Sequence, residues 1–313
     1  MGILTCEDLN RSVGGFRLSD ISFSLEPGYL LGVVGVNGSG KSTLLHYLMG
    51  GGSLGERTKI TVAGCSMTDQ PVEAKQHIAF VLNDCPFFMA LSGRENMQIF
   101  SKLYPGFSKE KFTEWMEHFA VPAKRPLQRL SKGQQMKFQL AFALSYDADV
   151  YFMDEPSANL DVEFREEFYQ IVRELIVDGK KSVVYVTQLV EELDGLADYI
   201  LWMHQGKMLL YMDMESLRDR FLVVTGPRRS IDSIPVNLVV GKKYGDSHNE
   251  ALIDCFQGEL MLPLERRRAR IEEIMYYFEE NPSSIRYFLM EHKEKQVCAN
   301  RFGFSYRSGG IYV

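Results

Sequence analysis

The chain has 313 residues and a mass of 35.8 kDa. At about 100–200 residues per domain, this length allows one large domain or two. The composition, 45% hydrophobic and 24% charged residues, is ordinary for a globular protein and excludes wholesale disorder. The net charge of −6 argues against nucleic acid as the main partner, because binding to phosphates depends on a basic surface.

The cysteines and the apolar runs indicate the cellular setting. No two of the five cysteines have C-x-x-C spacing, which argues against a disulfide framework or a zinc site and favours free thiols in a reducing cytosol. The segment Met1–Asn10 lacks the basic and apolar regions of a signal peptide. No stretch approaches the ~20 apolar residues that cross a bilayer, so we expect any membrane span to come from another chain. The cysteines are Cys6, Cys65, Cys85, Cys255 and Cys298.

In the first part of the chain, the pattern predicts two strands followed by a loop and a helix. Ile21–Leu25 alternates between apolar and polar residues, which is typical of a half-buried strand. Tyr29–Val34 is almost continuously apolar and predicts a buried strand. A glycine-rich loop, Gly35–Gly40, then precedes a helix predicted over Lys41–Met49.

Strands and helices continue to alternate after this helix. Short apolar runs predict buried strands at Ile78–Leu82, Val150–Met153 and Ser182–Val186. Helical patterns occupy the intervening stretches 92–120, 133–145 and 162–177. This alternation predicts an α/β domain with a parallel sheet and crossover helices.

The sequence pattern changes after about residue 220, where Pro and Gly separate short segments typical of β-strands. We therefore predict one domain over residues 1–220 and a small α+β accessory domain over 221–313. In the accessory domain, Glu265–Arg270 holds four arginines, and the apolar positions around it share one helical face. This pattern predicts an amphipathic helix with a solvated arginine face, with binding of anionic lipid or nucleic acid as the alternative.

The segment Gly35–Ser42 reads Gly-Val-Asn-Gly-Ser-Gly-Lys-Ser and fits G-x-x-x-x-G-K-[ST] between a strand and a helix. Its glycines let successive N–H groups point at one phosphate chain, and the helix N-terminus adds a positive dipole. Lys41 brings a full charge to the β- and γ-phosphates, and the Ser42 hydroxyl is a ligand suited to Mg²⁺. The predicted nucleotide-binding residues of this segment are Gly35, Asn37, Gly38, Ser39, Gly40, Lys41, Ser42 and Thr43.

Two acidic residues follow the predicted strand at 150–153. Asp154 is placed to hold Mg²⁺, as in nucleotide hydrolases with this type of loop. Glu155 is adjacent and can act as the base for the attacking water, which is worth ~10²–10⁴ in rate.

Between these motifs lies Leu130-Ser131-Lys132-Gly133-Gln134, and Ser157–Asp161 follows the acidic pair. Together, the four motifs resemble those of the ATP-binding-cassette (ABC) ATPases, and the resemblance covers about residues 1–220. The segment 130–134, called the signature segment below, is similar to the family's LSGGQ, with Lys132 in place of the first glycine. Ser157–Asp161 is similar to the family's D-loop.

The resemblance implies a P-loop cassette with a parallel core sheet, a β-rich subdomain and an inserted helical subdomain at about 84–145. It also implies a head-to-tail dimer, in which ATP on the loop of one subunit is closed by the signature segment of the other. Ser131 and Gly133 would then offer a hydroxyl and an N–H to the γ-phosphate. Gln134 and Asp161 are the other two residues that the resemblance implies for binding nucleotide across the dimer.

The sequence departs from the family pattern at three positions. Asn83 stands at the family's Q-loop glutamine and offers the same amide oxygen to Mg²⁺ or water on a shorter side chain. Gln188 stands at the switch histidine and can bond the γ-phosphate but cannot carry a proton, so slow hydrolysis is expected. Val13 stands near the position of the aromatic residue that stacks on adenine; Phe16 either replaces it or belongs to the core.

The predicted catalytic residues are therefore Glu155 and Gln188, and the predicted metal ligands are Ser42, Asp154 and Asn83. Two further features stay open. Lys132 either points at the phosphates across the dimer or is solvated. The Cys85–Met89 stretch, rich in phenylalanine, either docks a membrane partner or packs inside the helical subdomain.

The resemblance favours the ATP-binding and hydrolysing subunit of a transporter, similar to bacterial drug, antibiotic or peptide exporters with an LSKG-type signature. Its expected cofactors are ATP and Mg²⁺, and its expected partners are a transmembrane permease and a second cassette, at the cytoplasmic face of the membrane. A soluble or regulatory ABC-type ATPase with slow turnover is the alternative. Because a separation of 90 positions between Lys41 and Ser131 leaves no room for a long coiled coil, the repair and chromosome types are disfavoured.

Overall fold

A computed structural model describes residues 2–245, 249–255 and 263–281. The chain divides into two compact units. The first comprises Met1–Gln188 and Leu201–Met208, and the second comprises Leu189–Ile200 and Leu209–Val313. The domain boundary at residue 220 stays a prediction. Cys298 lies outside the described residues, as does the part of the predicted accessory domain after residue 281.

The first unit contains eight complete strands among the described residues: β1 Leu4–Val13, β2 Phe16–Leu25, β3 Leu30–Val34, β4 Lys59–Val62, β5 Cys65–Ser66, β6 Ile78–Val81, β7 Val150–Asp154 and β8 Ser182–Val186. It also includes residues 201–208 of the hairpin formed by β9 Tyr199–His204 and β10 Lys207–Asp213. Its helices are α1 Lys41–Leu48, α2 Pro71–Gln76, α3 Gly93–Phe100, α4 Lys109–His118, α5 Lys132–Ala143 and α6 Val162–Ile176. Short 3₁₀ turns lie at Ser101–Leu103 and Leu127–Arg129.

The strands form one sheet in the order β5-β4-β1-β2-β10-β9-β3-β8-β7-β6. The four strands β3, β8, β7 and β6 pair in parallel, whereas β1 pairs antiparallel with β2 and with β4. Every residue of β3 and β8 is buried, as expected for parallel strands that are covered on both faces. The predicted fold class, α/β with a parallel core sheet beside a β-rich region, is confirmed.

The register of the parallel strands decides which loops meet. Val33 of β3 is level with Val186 of β8, and Asp154 of β7 is level with the same residue. Val81 of β6 is level with Met153. The carboxyl ends of all four strands therefore lie at one edge of the sheet, which is the usual position of a ligand site in such folds.

Three helices are inserted between β6 and β7, where the helical subdomain is predicted. A serine caps each of them: Ser92, Ser108 and Ser131 accept hydrogen bonds from the backbone of the first turn. The helical pattern predicted over 92–120 is divided into α3 and α4 by a turn at Gly106, whose φ is 73°.

The second unit contains α7 Met214–Arg220, β11 Phe221–Thr225, α8 Arg228–Asp232, β12 Val239–Tyr244, β13 Asn249–Asp254, β14 Glu265–Arg268 and α9 Ile271–Glu280. Its antiparallel sheet has the order β12-β13-β11-β14. Residues from β11, β13 and α8, with the segment between α8 and β12, form an apolar core that includes Val224, Ile231, Leu238 and Ile253. None of the helices in the described ranges is long and apolar enough to span a membrane.

The prediction of an amphipathic helix that carries the arginine run is wrong. Glu265–Arg268 is an edge strand that pairs antiparallel with β11, and its four side chains are exposed. The helix begins only at Ile271 and buries the predicted apolar face. Charged residues on an edge strand prevent further strand pairing, which explains the arginines without a helix.

Candidate active site

The loop that follows β3 is shaped by glycines. Gly38 and Gly40 have φ of 77° and 106°, in the left-handed region that other residues rarely adopt. A Cβ on Gly40 would lie 2.8 Å from the ring of Phe16, so a side chain has no room there. Helix α1 begins at the next residue, and the N–H groups of its first turn therefore adjoin the loop.

Lys41 is held against this loop. Its Nζ donates hydrogen bonds to the carbonyl oxygens of Gly35, at 2.6 Å, and Val36, at 3.3 Å. Burial lowers the pKa of the ammonium group, whereas the nearby carboxylates of Glu155 and Asp154 raise it. The ammonium is thus fixed as a point charge where a phosphate chain would meet the loop.

Asp154 ends β7 beside Lys41 and Ser42. Burial raises the pKa of its carboxyl group, and the charge of Glu155 acts in the same direction, whereas a hydrogen bond from Ser42 lowers it. Its Oδ1 is buried and has no hydrogen-bond partner among the described residues. An unpartnered buried carboxylate oxygen is costly, so this atom is suited to bind a cation.

Glu155 adopts φ of 48°, a left-handed conformation that costs a residue with a Cβ about 1–2 kcal/mol. Its N–H donates to the carbonyl of Val186 at 2.9 Å, which fixes the backbone against the end of β8. Its Oε1 is buried and lacks a partner among the residues described. Strain of this kind is found mostly at functional positions.

These side chains meet in a cleft of about 320 Å³. Its wall is formed by residues from the loop and from the ends of the parallel strands: Val13, Phe16, Asn37, Gly38, Gly40, Lys41, Ser42, Thr43, Asn83, Asp154, Glu155 and Gln188. Two predicted loop residues are not part of the wall. Gly35 packs against the carbonyl of Met203, and Ser39 is only 1% exposed.

The donor set of the cleft fits Mg²⁺. The Ser42 hydroxyl, the unpartnered Asp154 oxygen and the Asn83 amide oxygen are hard ligands of the kind this ion prefers. Also on the cleft wall, Phe16 is half-buried and Val13 is exposed. Phe16 therefore lines the cleft and also packs against Gly40.

One element that supports the loop is absent from the sequence predictions. In the β9–β10 turn, the N–H of Gly206 donates to the carbonyl of Ser39 at 2.8 Å, and the Gly206 carbonyl accepts from Ser19 at 2.9 Å. A Cβ on Gly206 would lie 1.8 Å from the carbonyl oxygen of Arg17. The dipeptide Gln205-Gly206 between two apolar runs was the available signal for this hairpin.

The sequence is similar to those of known proteins. A family model described as ABC transporter matches residues 18–158. The ABC transporter ATP-binding protein NatA of Bacillus subtilis (strain 168) is 30% identical over 211 residues, which cover 63% of this chain and 82% of NatA. The chain belongs to the family of ABC transporter ATP-binding proteins. It therefore binds ATP and is an ATPase.

A second relative and a solved structure extend the comparison. The daunorubicin resistance ATP-binding protein DrrA2 of Streptomyces coeruleorubidus is 28% identical over 279 residues, which cover 84% of this chain and 81% of DrrA2. The structure of an ATP-binding subunit of an ABC transporter has a TM-score of 0.63 at 20% identity, covering 69% of this chain and 92% of that one. The latter likeness establishes the cassette fold.

The second group of predicted nucleotide-binding residues in this ABC protein lies away from the cleft wall. Ser131 caps α5 and forms a capping box with Gln134, with both hydrogen bonds at 3.1 Å. A Cβ on Gly133 would lie 2.7 Å from the carbonyl oxygen of Asn159, so the signature segment packs closely on the D-loop. Asp161 caps α6 by accepting from Phe164 at 2.9 Å.

The structure also bears on the features that the sequence left open. Lys132 is exposed at the start of α5. Phe87 is buried and contacts the rings of Phe100, Phe138 and Phe142 edge-on, whereas Phe88 is 54% exposed. The aromatic stretch thus contributes one residue to the core of the helical subdomain and one to its surface.

Proposed function

We propose that this ABC ATPase powers export through a separate transmembrane permease. The cleft in which Lys41, Ser42, Asp154 and Glu155 meet carries the proposal, because it combines phosphate-binding groups with two unpartnered carboxylate oxygens. Export is favoured by the likeness to DrrA2, a resistance protein by name. That match covers 84% of this chain, whereas the predicted cassette is only about 70% of it, so the likeness includes part of the accessory domain.

In the proposed reaction, the loop N–H groups and Lys41 bind the phosphates of the substrate ATP. Glu155 Oε1 accepts a proton from the attacking water, and the Gln188 amide donates a hydrogen bond to the γ-phosphate. Ser42, Asp154 and Asn83 would hold Mg²⁺, which neutralises phosphate charge. The adenine lies against Phe16.

The signature segment is proposed to act on the ATP of a second cassette. Ser131, Gly133, Gln134 and Asp161 do not line the cleft of their own chain, which supports a role across a head-to-tail dimer. The start of α5 presents N–H groups and a hydroxyl that suit a γ-phosphate. We place the dimer at the cytoplasmic face of a bacterial membrane, bound to the permease, with no nucleic-acid partner.

A soluble or regulatory ATPase with slow turnover is the second candidate. Its support is the presence of two neutral amides, Asn83 and Gln188, in the cleft. The presence of both Asp154 and Glu155 favours hydrolysis.

Capture of the partner tests the transporter proposal. Tagged Glu155→Gln is incubated with Mg-ATP and detergent-solubilised membranes of the source cell, and bound proteins are identified by mass spectrometry. We expect this variant to lose turnover by about 10²-fold or more but to keep bound ATP. Recovery of one stoichiometric polytopic protein, absent with the control Lys41→Ala, would support the transporter. Recovery of soluble proteins, ribosomes or DNA would contradict it and favour the second candidate.

A further inference from the structure

Gln139 makes an unusual contact in the middle of α5. Its side chain is 1% exposed, and its amide bonds both backbone groups of Leu82. The N–H of Leu82 donates to Gln139 Oε1 at 3.0 Å, and Gln139 Nε2 donates to the carbonyl of Leu82 at 2.9 Å. A primary amide that pairs in this way imitates the backbone of a neighbouring strand.

The position of Leu82 explains why this pairing matters. β6 is the last strand of the sheet, and its pairing with β7 ends where Val81 is level with Met153. Leu82 therefore lies beyond the hydrogen bonds that pair β6 with β7. The side-chain amide of Gln139 holds its backbone instead. The next residue is Asn83, which is exposed on the cleft wall. Because the Asn side chain has only two torsions, the reach of its amide oxygen depends closely on where the backbone is held.

The same face of α5 carries a second buried amide one turn earlier. Gln135 Nε2 donates to the carbonyls of Leu127 and Leu130, at 3.1 and 3.2 Å, in the segment that leads to Ser131. The other buried residues of α5 are apolar. An aliphatic side chain would fill either site without the cost of desolvating an amide, so the distinct contribution of each glutamine is its directed hydrogen bonds.

We propose that Gln139 is a positioning residue that holds Asn83 in the cleft and ties it to helix α5. The inference rests on the proposed function, in which Asn83 supplies an oxygen to Mg²⁺. Gln139 touches neither nucleotide nor metal; it acts through the backbone of Leu82. Helix α5 begins at the signature segment, which is proposed to contact the ATP of the partner cassette. The same helix therefore connects Asn83, beside one ATP, with the segment that contacts the other ATP.

The first test is hydrogen exchange of the nucleotide-free full-length protein. Gln139→Met removes the amide at similar volume, and Gln139→Ala lets water reach Leu82 if the first variant folds poorly. The matched control is Gln135→Met, which also removes two side-chain hydrogen bonds from the same helix. We expect the Leu82 N–H to exchange at least ~10-fold faster in the Gln139 variants and at the wild-type rate in the control. Unchanged exchange in both Gln139 variants would overturn the contact.

The second test separates positioning from general stability. The Mg²⁺ concentration that gives half-maximal ATPase activity is measured in Gln139→Met, in Asn83→Ala and in the double variant. We expect this concentration to rise ~10-fold in each single variant and no further in the double variant. The reason is that both changes remove the same contribution, that of the Asn83 oxygen to Mg²⁺ binding. Wild-type Mg²⁺ dependence in Gln139→Met, or effects that multiply in the double variant, would contradict the inference.

Failure of the inference and of the proposed function give different results. If the wild-type protein itself shows no Mg²⁺-dependent turnover, the proposed use of Asn83 fails, and the positioning role toward Mg²⁺ falls with it. If wild-type turnover depends on Mg²⁺ but the Gln139 variants match it, only the inference is overturned.

Discussion

Two residues of the cleft, Asn83 and Gln188, are amides at positions where the family pattern has a glutamine and a histidine. A neutral amide donates and accepts hydrogen bonds but carries neither a proton nor a charge at neutral pH. In the proposed reaction, Gln188 orients the γ-phosphate without helping to move a proton, so we expect proton transfer to depend on Glu155. Of the two departures, only Gln188 removes a titratable group from the family pattern, since asparagine and glutamine are both neutral.

Gln188→His tests whether that missing group limits the rate. We expect steady-state ATPase activity to rise by about 10-fold, because an imidazole at this point can share the proton and add charge near the γ-phosphate. The measurement is phosphate release at saturating Mg-ATP, with exposed Gln128→His as the matched control. Turnover no faster than wild type would show that Gln188 does not limit hydrolysis.

The raised pKa of Asp154 predicts how the stability of the folded protein depends on pH. Burial raises the pKa of its carboxyl group in the folded protein, so its contribution to stability is present below the pKa of the unfolded chain and is lost as pH rises through the folded pKa. The nucleotide-free Asp154→Asn variant should therefore melt a few degrees above wild type at neutral pH. This difference should shrink as the pH falls and the wild-type carboxyl becomes protonated.

Thermal unfolding of both proteins between pH 4 and pH 8, without nucleotide or divalent metal, checks this dependence. Asp69→Asn, a change at an exposed carboxylate in the same unit, is the control. An Asp154→Asn variant less stable than wild type at neutral pH would mean that the ionised carboxylate is compensated in the folded state.

Among the elements of the second unit, a helix and a strand are joined by a buried ion pair. Arg220 ends α7 and Asp254 ends β13, and their side chains are 7% and 8% exposed. Two hydrogen bonds join them, from Nε at 2.8 Å and from Nη2 at 2.6 Å. This bidentate geometry satisfies both oxygens of the carboxylate, so the helix and the strand are locked in one arrangement.

Removing one member of the pair should be costly. Arg220→Met removes both of these hydrogen bonds from the buried Asp254 carboxylate, and we expect the second unit to lose ~3–5 kcal/mol of unfolding free energy. The double variant Arg220→Met/Asp254→Leu should recover most of that loss, because no buried charge remains. Urea unfolding followed by circular dichroism measures both changes. Equal losses in the single and double variants would contradict a charge-based cause and indicate packing instead.

At the scale of the whole molecule, the proposed site needs two chains. The cleft contains the phosphate loop and the acidic pair, and the signature segment lies away from it in the same chain. Hydrolysis is therefore expected to require a partner cassette, and ATP binding should be visible as a change in molecular mass.

In the Glu155→Gln background, where ATP is bound but not hydrolysed, we expect ATP to convert monomers to dimers. Adding Ser131→Ala should return the protein to monomers that still bind ATP, since the hydroxyl toward the partner's γ-phosphate is lost. Sedimentation velocity with and without ATP measures this change. Ser108→Ala is the matched control, because Ser108 caps α4 in the same way and its loss costs a similar ~1 kcal/mol. Persistent dimers with Ser131→Ala would exclude the hydroxyl from the contact.

Features with a local cause could be predicted before the fold was known. The glycine pattern of the phosphate loop, the acidic pair at the end of β7 and the serine before α5 each follow from neighbouring residues and backbone geometry. The loop and the acidic pair contribute most of the cleft wall, and the alternation of strands and helices predicted the α/β fold class. Gly35 and Ser39, which were also predicted to bind nucleotide, do not line the cleft.

The tertiary structure decided what depends on pairing between distant segments. The arginine run is a strand because β11 offers it an edge, the Gly206 turn supports the loop from far along the chain, and Gln139 replaces a missing strand at Leu82. None of these has a local signal that excludes the alternatives. The physical reason is that a hydrogen-bond donor is satisfied by whichever acceptor the chain topology brings to it, and topology belongs to the whole fold.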